Sequence, residues 1–253
     1  MNIEGLDAGI LAPAFVAGLI VLATHIPLGY EVLRRGIIFI DIAVAQMAGL
    51  GVIIAYSLGW DEHGIAAQFA AVSSALAGAW VLSLLEKKYG RYQEALIGTS
   101  FILAATGGIL LLANNPHGGE HLKELLVGQI LWVEWNQLLV AAVISITVLM
   151  LWLRLRKKAG GLGFYMLFAI AITVSVQLVG VYLVFASLII PALATIGYNG
   201  KPAMGLSVII GVIGYAAGLI LSALLDLPSG AVIVWTIAAS ALIIKTALRL
   251  KAQ

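Results

Sequence analysis

Apolar runs of about twenty residues recur along the chain, and its charged residues sit in clusters between them. A helix that crosses a hydrocarbon layer of roughly 30 Å needs about that length. Eight runs meet the requirement: Gly9 to Leu33, Gly36 to Gly59, Gly64 to Leu85, Glu94 to Ala113, Leu131 to Leu153, Gly163 to Ile190, Ala203 to Leu225 and Gly230 to Leu250. The sixth is overlong, and Pro191 in SLIIPALATI predicts a break there into a span and a shorter helix. A further stretch, HLKELLVGQI, is too short to cross and reads as interfacial or re-entrant. No linker, low-complexity tract or internal repeat interrupts the pattern. It predicts one transmembrane domain, residues 1–253: an all-α polytopic membrane protein of about eight transmembrane helices with a broken sixth.

Composition fixes the solvent. The chain is 62% hydrophobic and only 10% charged, whereas a soluble domain carries about 25% charge to wet its surface. Most of this surface faces lipid. The absence of cysteine excludes disulfides and thiolate metal sites, and no nucleic-acid partner is expected. The opening residues MNIEGLDAG are acidic rather than basic, and the run after them is too long for a cleavable signal, so it reads as a retained first span. Lysine and arginine mark the cytoplasmic loops of membrane proteins. The first, third and fifth loops hold nine of them (Arg34, Arg35, Lys87, Lys88, Arg91, Arg154, Arg156, Lys157, Lys158), and the second, fourth and sixth hold two, Lys123 and Lys201. That count predicts a multi-pass protein of the inner (cytoplasmic) membrane with both termini outside. Lys245, Arg249 and Lys251 near the C-terminus run against the assignment.

Polar groups at membrane depth are costly and mark candidate function. At 1.5 Å per residue, His25 falls about 13 Å from the cytoplasmic end of the first span, Gln46 about 15 Å up the second and Gln177 about 20 Å up the sixth. Asp41 lies nearer the cytoplasm on the second span. These four are candidate functional groups; the alternative is mutual hydrogen bonding that glues helices together and, for Asp41, a salt bridge to Arg34 or Arg35. Glu31 reads as an ion-pair partner of Arg34 and Arg35, and Asp226 in LLDLPSG as a cap or turn residue.

The loop NNPHGGEHLKE contains the letters H-x-x-E-H in His117, Glu120 and His121. Zinc-peptidase chemistry needs both histidines on one rigid helix, and Pro116, Gly118 and Gly119 make this stretch a turn instead. A second reading joins His117, Glu120 and His121 with Asp61, Glu62 and His63 in a metal-attracting patch on the outer face, where imidazole and carboxylate suit zinc or manganese. No G-x-x-x-x-G-K-[ST] phosphate loop occurs, so an ATPase, if one drives the protein, is another chain.

Four collinear stretches carry a resemblance. THIPLGYEVLRRGIIFIDIAVAQMAGLGV resembles the first-loop and second-span region of the permeases of zinc, manganese and iron ABC importers; ELLVGQILWV, SVQLVGVYLVFASLIIPALAT and DLPSGAVIV resemble later parts of the same family in the same order. The resemblance implies a homodimeric or paired permease with cytoplasmic ATPase subunits and an extracytoplasmic solute-binding protein. It implies a transporter subunit rather than an enzyme. It also implies a transported divalent metal, zinc ahead of manganese or iron, with no cofactor held by this chain.

Two departures stand out. The family's Asp and His pair on the second span aligns with Ile42 and Gln46, and Asp41 is displaced by one residue, about 100° around the helix. His25 then supplies the imidazole and Gln46 an oxygen. The cytoplasmic link between the fifth and sixth spans, which in the family includes a coupling helix, is only RLRKKAGGLG. That shortening leaves an ATP-independent secondary transporter or channel on the same scaffold as the alternative.

Overall fold

The computed structural model describes residues 7–61, 64–113, 115, 118–155, 161–198 and 200–251. All regular structure in these residues is helical. Asp7 caps α1 (Ala8–Arg35), its carboxylate accepting the Gly9 N–H at 2.7 Å, and Gly36 ends the helix in the left-handed conformation at φ 69°. The chain returns through α2 (Ile40–Ser57).

A nearly unbroken helical run, Ile65–Leu112, follows over 48 residues. Straight, it would reach about 72 Å, more than twice a bilayer core. It does not run straight. The turn Gly90–Tyr92 divides it into α3 (Ile65–Tyr89) and α4 (Gln93–Leu112). Both halves pack along α2 in opposite senses. On α3, Gly51 abuts Ala70 and Met47 abuts Gly78; on α4, the Phe39 N–H bonds Glu94 at one end and Ile53 abuts Gly108 at the other. Each half is therefore one crossing. With α6 (Trp135–Leu155), α7 (Gly161–Val179), α9 (Lys201–Leu225) and α10 (Ser229–Lys251), the described residues hold the eight long helices that the pattern predicts.

The short stretch before the fifth span forms α5 (Gly118–Val127). It turns back into the bundle, where Leu125 packs close to Gly49 of α2.

The overlong sixth run is broken, but not at Pro191. The break is Gly180, with φ 81° and ψ 162°, and Pro191 sits inside α8 (Val181–Ala194). Only glycine adopts that backbone conformation readily, whereas a proline is tolerated inside transmembrane helices. The Pro191 carbonyl, near the end of α8, accepts from Ser207 at 2.9 Å and from Thr195 at 3.2 Å.

The direction of α8 changes the topology. Its start lies beside Gly128, at the end of the bundle where α5 sits, while Leu188 packs on Gly29 and Thr195 bonds Tyr30 near the C-terminal end of α1. So α8 runs back toward the end that holds Arg34 and Arg35. From there α9 climbs along α1, with Ser207 at the level of Tyr30, Gly211 on Leu22 and Tyr215 on Gly18. Helix α10 descends along α9, pairing Ile233 with Gly218 and Ile237 with Gly214. The start of α1 and the end of α10 therefore lie at opposite ends of the bundle. The expectation that both share one side fails because a 14-residue helix, too short to count as a span by length, reverses the chain once more.

Lys201 begins α9 and Lys245, Arg249 and Lys251 end α10, so all four join Arg34, Arg35, Lys87, Lys88, Arg91 and Arg154 toward one end, the basic end. The far end carries Lys123 and the exposed rings of Trp60, Trp132 and Trp135.

Candidate functional site

His25 sits ten residues inside α1 from Arg35, about 15 Å from the basic end, and is fully buried. Its Nδ1 lies 2.9 Å from the Val21 carbonyl and 3.0 Å from the Thr24 hydroxyl. A carbonyl only accepts, so Nδ1 carries the proton and donates to Val21. The Thr24 hydroxyl also donates to Val21, at 3.1 Å. That tautomer leaves a lone pair on Nε2, which has no protein partner. An imidazole oriented through one nitrogen with the other free is the form in which histidine binds a cation.

Asp41 occupies the first turn of α2 at the basic end, 1% exposed, with neither carboxylate oxygen hydrogen-bonded to protein. Gln46 is half-buried five residues on, about 9 Å up α2 from Ile40. Gln177 is about 24 Å up α7. From Gly163 to Val179 it is the one exposed residue of a helix otherwise packed in the protein. The polar groups are thus staggered in depth rather than level, because α2 begins at Ile40 and α7 at Gly161, several residues away from the run boundaries. Among the described residues no three His, Asp or Glu side chains gather where they could hold a metal ion. Of the outer-face patch, Asp61 and the exposed Glu120 are described, and both have partners. Glu62, His63, His117 and the His121 side chain lie outside the described residues.

Three features escaped sequence reasoning. At the basic end, the hydroxyls of Tyr30, Thr195 and Ser207 form a closed triangle with sides of 2.6, 3.0 and 3.0 Å that joins α1, α8 and α9. At the far end, Gly128, Gly180 and Gly230 pack backbone to backbone. A Cβ on Gly180 would stand 2.4 Å from the Gly128 nitrogen, and one on Gly230 would stand 2.5 Å from the Val127 carbonyl oxygen. Below them, a polar network ties the basic ends of four helices together. Glu31 accepts from Arg34 at 2.5 and 2.9 Å and from Arg35 at 2.6 Å; Arg35 reaches Glu86 at 3.9 Å and lies over the Phe164 ring; Gln93 bonds the Tyr165 hydroxyl. The ion pair of Glu31 with both arginines is the one part of this that the sequence predicted. The glycines had a signal as well, since each comes from one of the three later stretches, ELLVGQ, SVQLVG and DLPSG.

Helix α8 thus has a glycine pivot at one end and a hydroxyl latch at the other. It runs between the far end, where Gln177 is exposed, and the basic end, where Asp41 is buried.

Comparison with known proteins bears on what the arrangement serves. The model of the ABC 3 transport family matches residues 7–160 and 155–249. A manganese transport system membrane protein of Halalkalibacterium halodurans is 29% identical, over 82% of this chain and 76% of its own length. An uncharacterized membrane protein of Synechocystis sp. is 28% identical over 98% of this chain and 93% of its own. Among solved structures, PsaBC from Streptococcus pneumoniae in complex with a Fab superposes with a TM-score of 0.76 at 21% identity, covering 96% of this chain and 95% of that one. That last likeness is one of fold.

Proposed function

The chain belongs to the ABC 3 transport family, and on that premise we propose that it is the permease subunit that passes a divalent metal ion, zinc or manganese, inward under the power of a separate ATPase. The observation that carries the reading is the match of nearly the whole chain, in order, to one transport family. The name of the Halalkalibacterium relative favours manganese; the oriented imidazole of His25 favours zinc. A path lined by His25, Asp41, Gln46 and Gln177, with no cluster of three ligands among the described residues, offers weak sites one after another. A passage needs that, because a tight site would hold its cargo. Selection of the ion then rests with a solute-binding protein at the far end.

The basic end faces the cytoplasm on this reading, since lysine and arginine mark the cytoplasmic side. Both the link from Leu155 to Gly161 and the link from Thr195 to Gly200 join helices there, so the ATPase has two segments to grip. The second is latched to α1 and α9 through Thr195. This supplies a route for mechanical coupling that does not require the shortened first link. Two copies of the chain side by side would enclose the path where Gln177 is exposed.

The test is uptake of zinc and manganese by cells expressing the protein with its native ATPase and binding protein, measured by elemental analysis. His25→Ala is predicted to cut uptake about tenfold or more at unchanged membrane abundance, the usual scale for losing one metal-orienting group. Unchanged uptake would remove His25 from the path. Purification of the tagged chain free of any ATPase from its native host would instead support the ATP-independent alternative.

A further inference from the structure

Between α1, α6 and α9 the protein has an open groove of about 570 Å³ on its outer surface, at the basic end. Ala23 and Ile26 of α1, Leu149 and Leu153 of α6, and Val208 of α9 make its walls apolar, and Trp152 lines it too, edge-on to Phe164 at 5.5 Å. The polar lining is confined to one end, where Tyr30, Glu31 and Arg34 sit. From Leu22 to Arg34 the groove extends about 18 Å along α1. That is close to one leaflet of a bilayer whose hydrocarbon core is roughly 30 Å thick.

A single phospholipid has this shape and this polarity: one apolar leaflet length with a charged group at the end. The charge at the mouth selects among headgroups. Glu31 pairs with Arg34 and Arg35, and Arg35 also reaches Glu86, so together with the exposed Arg154 these groups carry one net positive charge. The Arg34 side chain is 71% exposed. Arg154 follows the groove wall on α6, is exposed, and has no ion-pair partner among the described residues; Arg156, Lys157 and Lys158 come next in the sequence. Basic pockets between helices on the cytoplasmic side are suited to anionic headgroups.

We propose that this groove is a binding site for one anionic glycerophospholipid, with an acyl chain along α1 between α6 and α9 and the phosphate between Arg34 and Arg154. The site bears on transport because its walls belong to elements joined to the latch. The ring of Tyr30 lines the groove while its hydroxyl holds Thr195 and Ser207, and Val208 follows Ser207 on α9. A lipid seated there braces the closed latch.

The experiment is native mass spectrometry of the full-length detergent-purified protein, delipidated and then titrated with palmitoyl-oleoyl phosphatidylglycerol or the phosphatidylcholine of the same chains. The parent protein is expected to retain one phosphatidylglycerol per chain in preference to phosphatidylcholine. Each basic residue near a membrane surface contributes about fivefold, so Arg34→Gln with Arg154→Gln should erase most of the preference. Arg35 stays with Glu31 in that variant, so the fold is kept. Ala23→Trp fills the apolar wall from its exposed position and should reduce retention of both lipids while the protein stays monodisperse. Equal retention of the two lipids by the parent, or phosphatidylglycerol retention untouched by Ala23→Trp, overturns the proposal. If Ala23→Trp splits a dimer and leaves lipid retention unchanged, the groove belongs to a second copy of the chain and the proposal is likewise overturned.

Discussion

Gly180 pairs φ 81° with ψ 162°, a region of backbone space that residues with a Cβ enter only at a cost of about 1–3 kcal/mol. Its neighbour across the contact is the backbone of Gly128, itself at φ 72°, so no flexible side chain can move aside for an added methyl. Gly180→Ala should therefore lower the thermal midpoint of the purified protein by several degrees, with strain and the 2.4 Å approach to the Gly128 nitrogen acting together. Gly98 of α4 is the matched control. It is helical, with nothing within 4 Å of an added Cβ, and Gly98→Ala should hold or raise the midpoint because alanine is the better helix former. Equal midpoints for the two variants would mean that the Gly128–Gly180 contact yields easily and is no pivot. The contrast also explains what could be read in advance. A glycine in an apolar run looks the same in a sequence whether a backbone presses on it or lipid does. Proline is the louder signal, and it pointed to 191 when the break is at 180.

At the scale of the element, α8 is the part that sequence reasoning placed least well. Residues 163–190 form one apolar run with no charged residue, so length alone could register an excess but could not show that the chain doubles back. Seven of the eight long helices were legible because each is bounded by charge or by a polar turn; α7 ends inside the apolar run. His25 was legible as an isolated polar group at depth. Its fixed tautomer was not, because it depends on the position of the Val21 carbonyl one helical turn away. The hydroxyl latch was illegible for a related reason. Tyr30, Thr195 and Ser207 are ordinary residues near span ends, and only the reversal of α8 brings them together. If the latch couples α8 to α1 and α9, removing two of its hydroxyls should uncouple ATP use from transport. Thr195→Val with Ser207→Ala deletes neutral hydrogen bonds each worth about 1 kcal/mol. Metal uptake per ATP hydrolysed, measured in proteoliposomes with the ATPase bound, should fall roughly five- to thirtyfold while hydrolysis persists. A parallel loss of both activities, or no change in their ratio, would argue that the triangle only stabilises the fold.

For the whole molecule the decisive property is which ends of the helices share a side. Counting eight crossings put both termini outside and left Lys245, Arg249 and Lys251 as exceptions to the charge rule. With α8 as a further, short crossing the exceptions vanish. Those three residues and Lys201 move to the basic end, and Lys123 stands alone at the other. The charge asymmetry of a membrane protein orients it during insertion, so the corrected topology is also the one the charges favour. The chain contains no cysteine, which makes single introduced thiols clean reporters. Tyr198→Cys lies in the link between α8 and α9, and Leu227→Cys in the link between α9 and α10; both positions are exposed. In intact spheroplasts a membrane-impermeant maleimide should label Leu227→Cys and leave Tyr198→Cys unlabelled until the membrane is opened. The reverse pattern would invert the whole bundle and detach the basic end from the cytoplasm. Labelling of both from outside would mean that α8 does not cross back, and the hinge, the latch and the cytoplasmic position of the second link would fall together.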